Sequence, residues 1–282
     1  MHLRLHFQLL LAPIFLWAWL VAGAGLLSAA QALAFVAFHL FLYGGVTAFN
    51  SYYDRDQGPV GGLAQPPPVV AALLPFAIAL QAVGWLLAAL VNLPVGLAYG
   101  GFVLLSTAYS HPRLRLKGRP LPSLLTVALG QGVLAYLAAW AAARGELASA
   151  LTPLGGLGLA AATLLILGLY PLSQLYQIDE DRARGDRTLA VAWGPRRCFL
   201  LALTCQALGG AALVAVVARR FGGGDGLLVG LGLALQLAAI GWWAAHFQPA
   251  QVLANFRYVM RLNTANAGGL GAYLLYRLLA SG

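Results

Sequence analysis

Two short stretches of the chain hold most of its acidic residues, and each follows a long apolar segment. They contain six of the eight acids: Asp54, Asp56, Asp179, Glu180, Asp181 and Asp186. In the first stretch, AFNSYYDRDQGPVGG, Asn50 precedes Asp54 by four residues. In the second, YQIDEDRARGDRT, Gln177 precedes Asp181 by the same interval. Since residues four apart share a helix face, each stretch predicts a helix end that presents oxygen atoms on one side.

Oxygen-rich helix ends of this kind suit a magnesium site. Mg²⁺ prefers oxygen ligands in near-octahedral geometry, commonly one or two carboxylates together with substrate phosphates and water. Two acidic helix ends that face each other could hold such ions and the phosphate bound to them. The chemistry to expect is therefore that of a metal-bound phosphate group.

A third stretch, YSHPRLRLKGRP, lies between the acidic ones and is strongly basic. It places Tyr109, Arg113, Arg115, Lys117 and Arg119 within eleven residues. Arginine binds phosphate oxygens through two parallel hydrogen bonds, whereas lysine acts as a point charge. A phenol can donate a hydrogen bond to a departing oxyanion. A site that binds both a metal and a phosphate needs groups of both signs, and these stretches supply them.

The alternative interpretation is that the acids are solvated loop charges paired with nearby arginines. Those arginines are Arg55, Arg182, Arg184 and Arg187. For a single acidic loop this interpretation would be favoured. Two acidic stretches in a chain that is otherwise almost free of acids favour a binding site.

The composition indicates that these stretches belong to an integral membrane protein. Hydrophobic residues make up 61% of the 282 and charged residues only 9%, against about 25% charged in a typical soluble domain. The net charge of +9 does not indicate nucleic-acid binding, because excess Arg and Lys in a membrane protein marks its cytoplasmic loops. Cys198 and Cys205 have no partners at metal-ligand spacing, so neither a zinc site nor a disulfide framework is expected.

The apolar runs predict an all-α fold of nine transmembrane helices in a single domain, residues 1–282. A helix needs about 20 apolar residues to cross a bilayer. The predicted spans are 7–27, 31–49, 69–91, 94–109, 121–143, 153–175, 198–218, 226–245 and 264–280, with an interfacial segment before the last. The first is expected to be retained rather than cleaved as a signal peptide. We expect the helices to surround a central apolar cavity that polar cytoplasmic loops cap.

The distribution of charge predicts the orientation. With the N-terminus in the cytoplasm, nine spans place 13 of the 17 basic residues on the inner side and the C-terminus outside. The positive-inside rule expects such an asymmetry. Both acidic stretches and the basic loop then share the cytoplasmic face of the cell (inner) membrane.

These motifs resemble those of the UbiA-type intramembrane prenyltransferases, over most of the chain. The first stretch is similar to the family pattern N-D-x-x-D-x-x-x-D, with Asn50 and Asp54 matching but Ser51 and Gly58 in place of acids. The second resembles D-x-E-x-D, with Asp179 and Asp181 matching and Gln177 at the first position. The basic loop is similar to Y-S-x-P-P-x-R-L-K. Any one of these motifs is moderately specific, and three in order are strongly so.

The resemblance implies Mg²⁺-dependent transfer of an isoprenoid chain from an allylic polyprenyl diphosphate to an electron-rich, lipophilic acceptor. It implies metal ligands at Asn50, Asp54, Asp179 and Asp181, with Asp56, Gln177, Glu180 and Asp186 as accessory residues. It implies diphosphate binding by Arg113, Arg115, Lys117, Arg119 and Arg182, and catalytic roles for Tyr109 and Lys117. Neither nucleic acid nor a protein partner is expected.

Two other functions remain open from the sequence. A non-catalytic relative that binds a prenyl lipid would account for the missing motif acids. A cation-coupled transporter is disfavoured, because transporters carry ionisable residues near the middle of the membrane and these spans have almost none. The sequence does not identify the acceptor or the chain length of the donor.

Overall fold

The computed structural model describes residues 1–25 and 28–280, and within them the fold is a bundle of helices without strands. Nine long helices and one short helix make up the bundle. They are α1 Leu5–Ala22, α2 Ala29–Asp54, α3 Leu73–Val91, α4 Leu93–Ser110, α5 Pro120–Arg144, α6 Pro153–Gln174, α7 Ile178–Arg184, α8 Leu189–Phe221, α9 Gly223–His246 and α10 Val252–Ala280. The predicted all-α membrane fold is confirmed.

Eight of these helices, in the part of the chain that the structure describes, are long and apolar enough to cross a membrane. The last helix, α10, is long enough but more polar, since it contains three arginines and three asparagines. A count of nine spans therefore stays a prediction. The segment predicted to be interfacial is mostly the first part of α10, which runs unbroken from Val252. The end of the first predicted span, residues 26 and 27, lies outside the described residues.

Local capping explains where several helices start and stop. The Ser28 hydroxyl accepts the Gln31 N–H while the Gln31 side chain accepts the Ser28 N–H, a reciprocal cap that starts α2. Asn92 caps α4 in a similar way by accepting the Val95 N–H. Gly145 ends α5 with a φ of 77°, a left-handed conformation that glycine adopts at little cost. The sequence thus fixes these boundaries locally.

Five of the helices depart from regular α geometry. Two contain a 3₁₀ turn, α1 at Leu9–Leu11 and α6 at Pro171–Gln174. In α2 the turn Ala37–Leu42 is π-helical, and in α5 the turn Ala128–Leu134 is π-helical. In α8, Gly194 has φ 79° and ψ 164°, which breaks the helix directly before Pro195. The predicted seventh span began only after this break, whereas the structure begins α8 at Leu189. Such interruptions redirect side chains and are frequent at functional sites.

The interior of the bundle is tightly packed around aromatic side chains. Phe15 and Trp19 of α1, Phe38 of α2, Tyr99 of α4 and Tyr136 of α5 are all essentially inaccessible to solvent. The Trp19 indole donates to a backbone carbonyl of α5 at 3.1 Å, which satisfies its only polar group in a medium without water. This packing holds α1, α2, α4 and α5 together on the side away from the acidic stretches.

A central cavity of about 290 Å³ lies between α1, α2, α4, α5, α6 and α10. Most of its lining is apolar, including Leu105, Val127 and Ile166. At one end it meets a smaller polar pocket of about 80 Å³, and the two share Asn50, Tyr109 and other lining residues. The expected apolar cavity capped by polar loops is therefore present.

The close approach of α3 to α2 and α4 yields a test of the packing. A methyl group added to Gly84 would overlap the side chains of Phe41 and Tyr99. We expect Gly84→Ala to destabilise the protein by about 1–3 kcal/mol, the usual cost of overpacking. The measurement is the thermal unfolding midpoint in detergent. The control is Gly232→Ala on α9, where a methyl group meets nothing within 4 Å; equal midpoints for the two variants would contradict the packing.

Candidate active site

The end of α2 and the loop after α4 meet around one buried ammonium group. Lys117 lies in a 3₁₀ turn, and its Nζ donates to Asn50 Oδ1 at 2.7 Å and to the Asp54 carboxylate. The Ser110 hydroxyl also donates to Asn50 Oδ1, at 3.1 Å. Lys117 is only 7% exposed. Asn50 and Asp54 thus present oxygens to one point, as their spacing predicts.

A second cation joins this pair to the loop after α7. The Arg115 guanidinium donates to both oxygens of Asp186, at 2.6 and 2.7 Å. Its remaining nitrogen donates to Asp54 Oδ1 at 3.4 Å. Arg115 holds the left-handed backbone conformation, with a φ of 41°, where the loop turns to bring Lys117 inward. A bidentate arginine–carboxylate pair fixes geometry as well as charge.

A third cation, Arg184 of α7, reaches four carboxylates. Its guanidinium donates to Asp56 Oδ1 at 2.9 Å and to Glu180 Oε1 at 3.1 Å. It also lies 3.9 Å from Asp181 and 3.9 Å from Asp186. The other oxygen of Asp56, Oδ2, is buried and has no hydrogen-bond partner among the described residues. The two acidic stretches therefore converge, although more than a hundred residues separate them.

Among the buried acids of this pocket, Asp181 lies farthest from a positive charge, since its nearest cationic group is Arg184 at 3.9 Å. Its side chain accepts a hydrogen bond from the Thr188 hydroxyl at 3.1 Å, and it lies in the same pocket as Asp54 and Asp186. Burial raises the pKa of Asp181 from 3.8 to about 7, because the charged form loses its hydration. Burial also raises the pKa of Asp56, with the charge of Asp54 adding to the effect. The pocket thus favours a cation beside these carboxylates.

The side chains of several predicted site residues point away from this pocket. Asp179 and Arg182 form an ion pair on the outer face of α7, with side chains 75% and 62% exposed. Arg113 and Arg119 are also exposed. Since successive helical residues are turned by about 100°, a helix that directs Asp181 inward must direct Asp179 outward. Their assignment as metal or diphosphate ligands stays a prediction.

Two of the positions that lack the usual motif acid have other polar partners. The Ser51 hydroxyl accepts a hydrogen bond from the buried Arg4 guanidinium at 2.8 Å. Glu180 accepts the Gly58 N–H at 3.2 Å, and a Cβ at Gly58 would lie 2.7 Å from that carboxylate. The missing side chain at Gly58 therefore makes room for an acid from the other stretch. Gln177, the third such position, lines both cavities.

Sequence reasoning missed three residues of the site. It treated Arg184 only as a partner for solvated acids, although its spacing of three from Asp181 places both on one side of α7. It assigned no role to Thr188, whose hydroxyl donates to Asp181, or to Tyr170, whose hydroxyl lies 3.0 Å from that of Tyr109. Nothing in the local sequence around Tyr170 signals this contact, because Tyr109 and Tyr170 lie on different helices.

The chemistry of this donor set fits Mg²⁺. Among the described residues no three His, Cys, Asp or Glu side chains converge on one point, because lysine and arginine groups lie between the acids. The pocket nevertheless gathers hard oxygen donors: Asn50, Asp54, Asp56, Gln174, Gln177, Asp181, Asp186 and Thr188. The unpartnered Oδ2 of Asp56 is a buried oxygen available to a cation. Oxygen ligands of this type are those that Mg²⁺ selects.

The raised pKa of Asp181 predicts a pH dependence of stability. The folded state binds this proton more tightly than the unfolded state, so the contribution of Asp181 is fully present below about pH 4 and is lost as the pH rises to about 7. We expect the thermal midpoint of the metal-free protein to fall less over this interval in Asp181→Asn than in the unsubstituted protein.

The control for this measurement is Glu146→Gln, which alters an exposed acid in the loop after α5. Its pKa is lowered, chiefly by hydrogen bonds from Ser149, so its removal should not lessen the fall. Identical pH profiles for Asp181→Asn and the unsubstituted protein would show that Asp181 does not titrate in this range.

Comparison with known proteins identifies the family. The sequence pattern of the UbiA prenyltransferase family matches residues 11–265. No curated protein matches the chain. Among solved structures, a UbiA homolog from Archaeoglobus fulgidus bound to GPP and Mg²⁺ is 19% identical, with 97% of this chain and 99% of that chain covered and a TM-score of 0.69.

Two further structures are similar in fold. The apo UbiA homolog from Aeropyrum pernix K1 is 24% identical, covers 95% of this chain and 97% of its own, and has a TM-score of 0.67. A digeranylgeranylglyceryl phosphate synthase is 13% identical, covers 98% and 99%, and has a TM-score of 0.62. At these identities the structures show the shared fold. The family match over most of the chain establishes that the protein belongs to the UbiA prenyltransferase family.

Proposed function

We propose that this protein transfers an isoprenoid chain from an allylic diphosphate to an electron-rich, lipophilic acceptor in a Mg²⁺-dependent reaction. The observation that carries the proposal is the contact between two chemically different spaces. A pocket of carboxylates and cations opens onto an apolar cavity, with Asn50, Tyr109 and Gln177 in the shared wall. A molecule with a charged head and an apolar tail matches this division. Membership of the prenyltransferase family supports the same reading.

Mg²⁺ is proposed as the cofactor. The relative from Archaeoglobus fulgidus was solved with GPP or DMAPP together with Mg²⁺. In this chain we propose Asn50, Asp54 and Asp181 as the principal ligands, with Asp56 and Asp186 as accessory ones. Asp179 is left out because its side chain points to the outside of α7. Bound Mg²⁺ neutralises charge that develops on the departing diphosphate.

The buried cations are proposed to bind the diphosphate. Three cations lie in or beside the pocket: Arg115, Lys117 and Arg184. Each forms an ion pair with a carboxylate there. In the proposed complex these cations would donate hydrogen bonds to the diphosphate oxygens, and the carboxylates that they contact here would hold Mg²⁺. Arg113, Arg119 and Arg182 are exposed, and we propose for them only a contribution to the positive field that attracts the donor.

The reaction follows from this arrangement. The allylic C–O bond breaks, its electron pair leaves with the diphosphate, and an allylic cation remains. The acceptor then supplies an electron pair for the new bond and releases a proton. The hydroxyl groups of Tyr109 and Tyr170 hydrogen-bond to each other, and both residues line the pocket and the cavity. We propose that their aromatic rings stabilise the allylic cation. The apolar cavity wall excludes water from the cation.

Two finer assignments accompany this proposal. We propose that all nine long helices span the cell (inner) membrane and that the polar pocket faces the cytoplasm, since most basic residues fall in loops on that side of a nine-span topology.

The alternative function is a non-catalytic protein that binds a prenyl lipid. It is favoured by the absence of acids at Ser51, Gly58 and Gln177, and a turnover assay separates the two functions.

Loss of the proposed ligands should abolish turnover. We expect Asp54→Asn and Asp181→Asn each to lower Mg²⁺-dependent diphosphate release by about 100-fold or more, because the metal loses a charged ligand. The measurement is diphosphate release from a panel of labelled allylic diphosphates in membranes, with and without Mg²⁺.

Glu146→Gln, far from the pocket in sequence and exposed, is the matched acid-to-amide control and should retain turnover. Donor binding without release, for every donor and acceptor tested, would favour the non-catalytic alternative. If Asp179→Asn lowers diphosphate release as much as Asp181→Asn does, Asp179 is a metal ligand as well.

Loss of the pocket cations should weaken donor binding. Charged hydrogen bonds contribute about 1.5–3 kcal/mol, so Arg115→Ala and Lys117→Ala are each expected to raise the Kd for geranyl diphosphate by about 10-fold or more. Calorimetric titration in the presence of Mg²⁺ provides the measurement. Arg144→Ala, which removes an exposed arginine at the end of α5, should leave the Kd unchanged. Unchanged affinity in both pocket variants would show that the basic loop does not bind the diphosphate.

A further inference from the structure

The central cavity is not uniformly apolar. Six amide side chains line it. Gln8 and Asn50 have hydrogen-bond partners, Gln177 also lines the polar pocket, and the other three are Gln131 of α5 and Asn263 and Asn266 of α10. Within the part of the chain that the structure describes, none of the three makes a side-chain hydrogen bond, and Asn263 Oδ1 is fully buried without a partner. A buried polar group without a partner is destabilising, and the cost is greater in a membrane interior. Asn263 Oδ1 therefore needs an explanation beyond folding, and Gln131 and Asn266 line the same cavity.

Two buried amides elsewhere in the bundle, Gln206 and Asn255, have partners. The Gln206 amide donates to the Leu165 carbonyl at 2.8 Å and accepts from Gln236 at 3.1 Å. Asn255 accepts from the Trp243 indole at 3.1 Å and donates to a backbone carbonyl at 2.8 Å. Gln131, Asn263 and Asn266 have no such partners and line one cavity, which favours a ligand that supplies their hydrogen bonds.

These amides come from two different helices that line the cavity. Gln131 lies within the π-helical turn Ala128–Leu134, which interrupts the regular hydrogen-bond pattern of α5. Asn263 and Asn266 are three residues apart on α10, so they project from the same side of that helix. A polar group of a ligand that lies between the two helices can donate hydrogen bonds to these amides and accept hydrogen bonds from them.

The charge of the cavity limits what that group can be. Its lining, as far as the structure describes it, contains no Asp, Glu, Lys, Arg or His. A carboxylate or phosphate placed there would be buried without a counter-ion, which is strongly unfavourable. Arg115, Lys117 and Arg184 are assigned to the donor's diphosphate, and the guanidinium of Arg4, which lies beside Gly61 outside the lining, donates to Ser51. An uncharged group that both donates and accepts hydrogen bonds satisfies the amides without this cost.

We propose that Gln131, Asn263 and Asn266 form the binding subsite for the acceptor's polar group, and that the acceptor is an uncharged, lipophilic compound with hydroxyl or carbonyl groups. This inference rests on the proposed prenyl transfer and specifies its second substrate. The amides hold that polar group within the cavity that receives the donor's isoprenoid tail. Acceptors that carry a carboxylate or a phosphate are excluded from this subsite.

The test compares two probes, 4-hydroxybenzoate and its methyl ester, which differ in charge and in one methyl group. Calorimetry on the detergent-solubilised protein, with Mg²⁺ and geranyl S-thiolodiphosphate present, gives the affinity of each phenol. We expect the ester to bind at least about tenfold more tightly than the acid, because only the acid brings an unpaired charge. Asn263→Leu, Asn266→Leu and Gln131→Leu should each weaken ester binding about fivefold, the effect of one lost neutral hydrogen bond.

Two readouts separate a binding role from a structural one. Replacement of an unpartnered amide by leucine should leave the thermal midpoint unchanged or raise it, whereas an amide needed for folding would lower it. The Kd for geranyl S-thiolodiphosphate should change by less than about twofold in these variants. Gln251→Leu, which alters an exposed amide outside the cavity, is the control and should change none of these quantities.

The inference is wrong if the ester does not bind more tightly than the acid, or if the three leucine variants bind the ester normally. Large drops in the thermal midpoint of those variants would equally overturn it. In each case intact Mg²⁺-dependent binding of the donor analogue would leave the proposed function standing. Absence of that donor binding in the unsubstituted protein would instead overturn the proposed function.

Discussion

The site depends on one buried lysine. The Lys117 ammonium lies out of water between Asn50 Oδ1 and the Asp54 carboxylate. A buried charge is tolerated only where an opposite charge and hydrogen bonds compensate it, and removal of one partner costs about 3–5 kcal/mol. The end of α2 and the loop after α4 must therefore meet at this point. Arg115 extends the same constraint to Asp186, so three distant segments are held around one pocket.

The balance of charges gives this pocket a capacity to exchange partners. Each of its cations is compensated by a carboxylate, yet Asp181 and Asp56 remain incompletely compensated, and burial raises the pKa of both. A divalent cation bound together with an anionic ligand preserves the balance while it relieves these two acids. In the proposed function, this exchange accounts for acids and bases packed closely at one end of an otherwise apolar bundle. The adjoining cavity is proposed to hold the donor's tail, apart from its charged head.

The departures from the family pattern are compensated through tertiary contacts. Ser51 is bound by Arg4 from the N-terminal segment, and the space at Gly58 is taken by the carboxylate of Glu180. An acid supplied by the second stretch thus lies where the first stretch lacks one. Inspection of the motif in isolation shows only the missing side chain. The carboxylate of Glu180 reaches this position only because α7 packs beside the loop after α2.

The sequence by itself determined the helical membrane fold, the positions of most spans and the pairing of Asn50 with Asp54, because hydropathy and helical periodicity are local properties. It did not determine which face of α7 turns inward, so it assigned the exposed Asp179 alongside the buried Asp181. Contacts between distant helices, such as Tyr109 with Tyr170, have no local signal either. Only the tertiary structure decided these points, since burial and charge compensation arise when separate helix ends pack against one another.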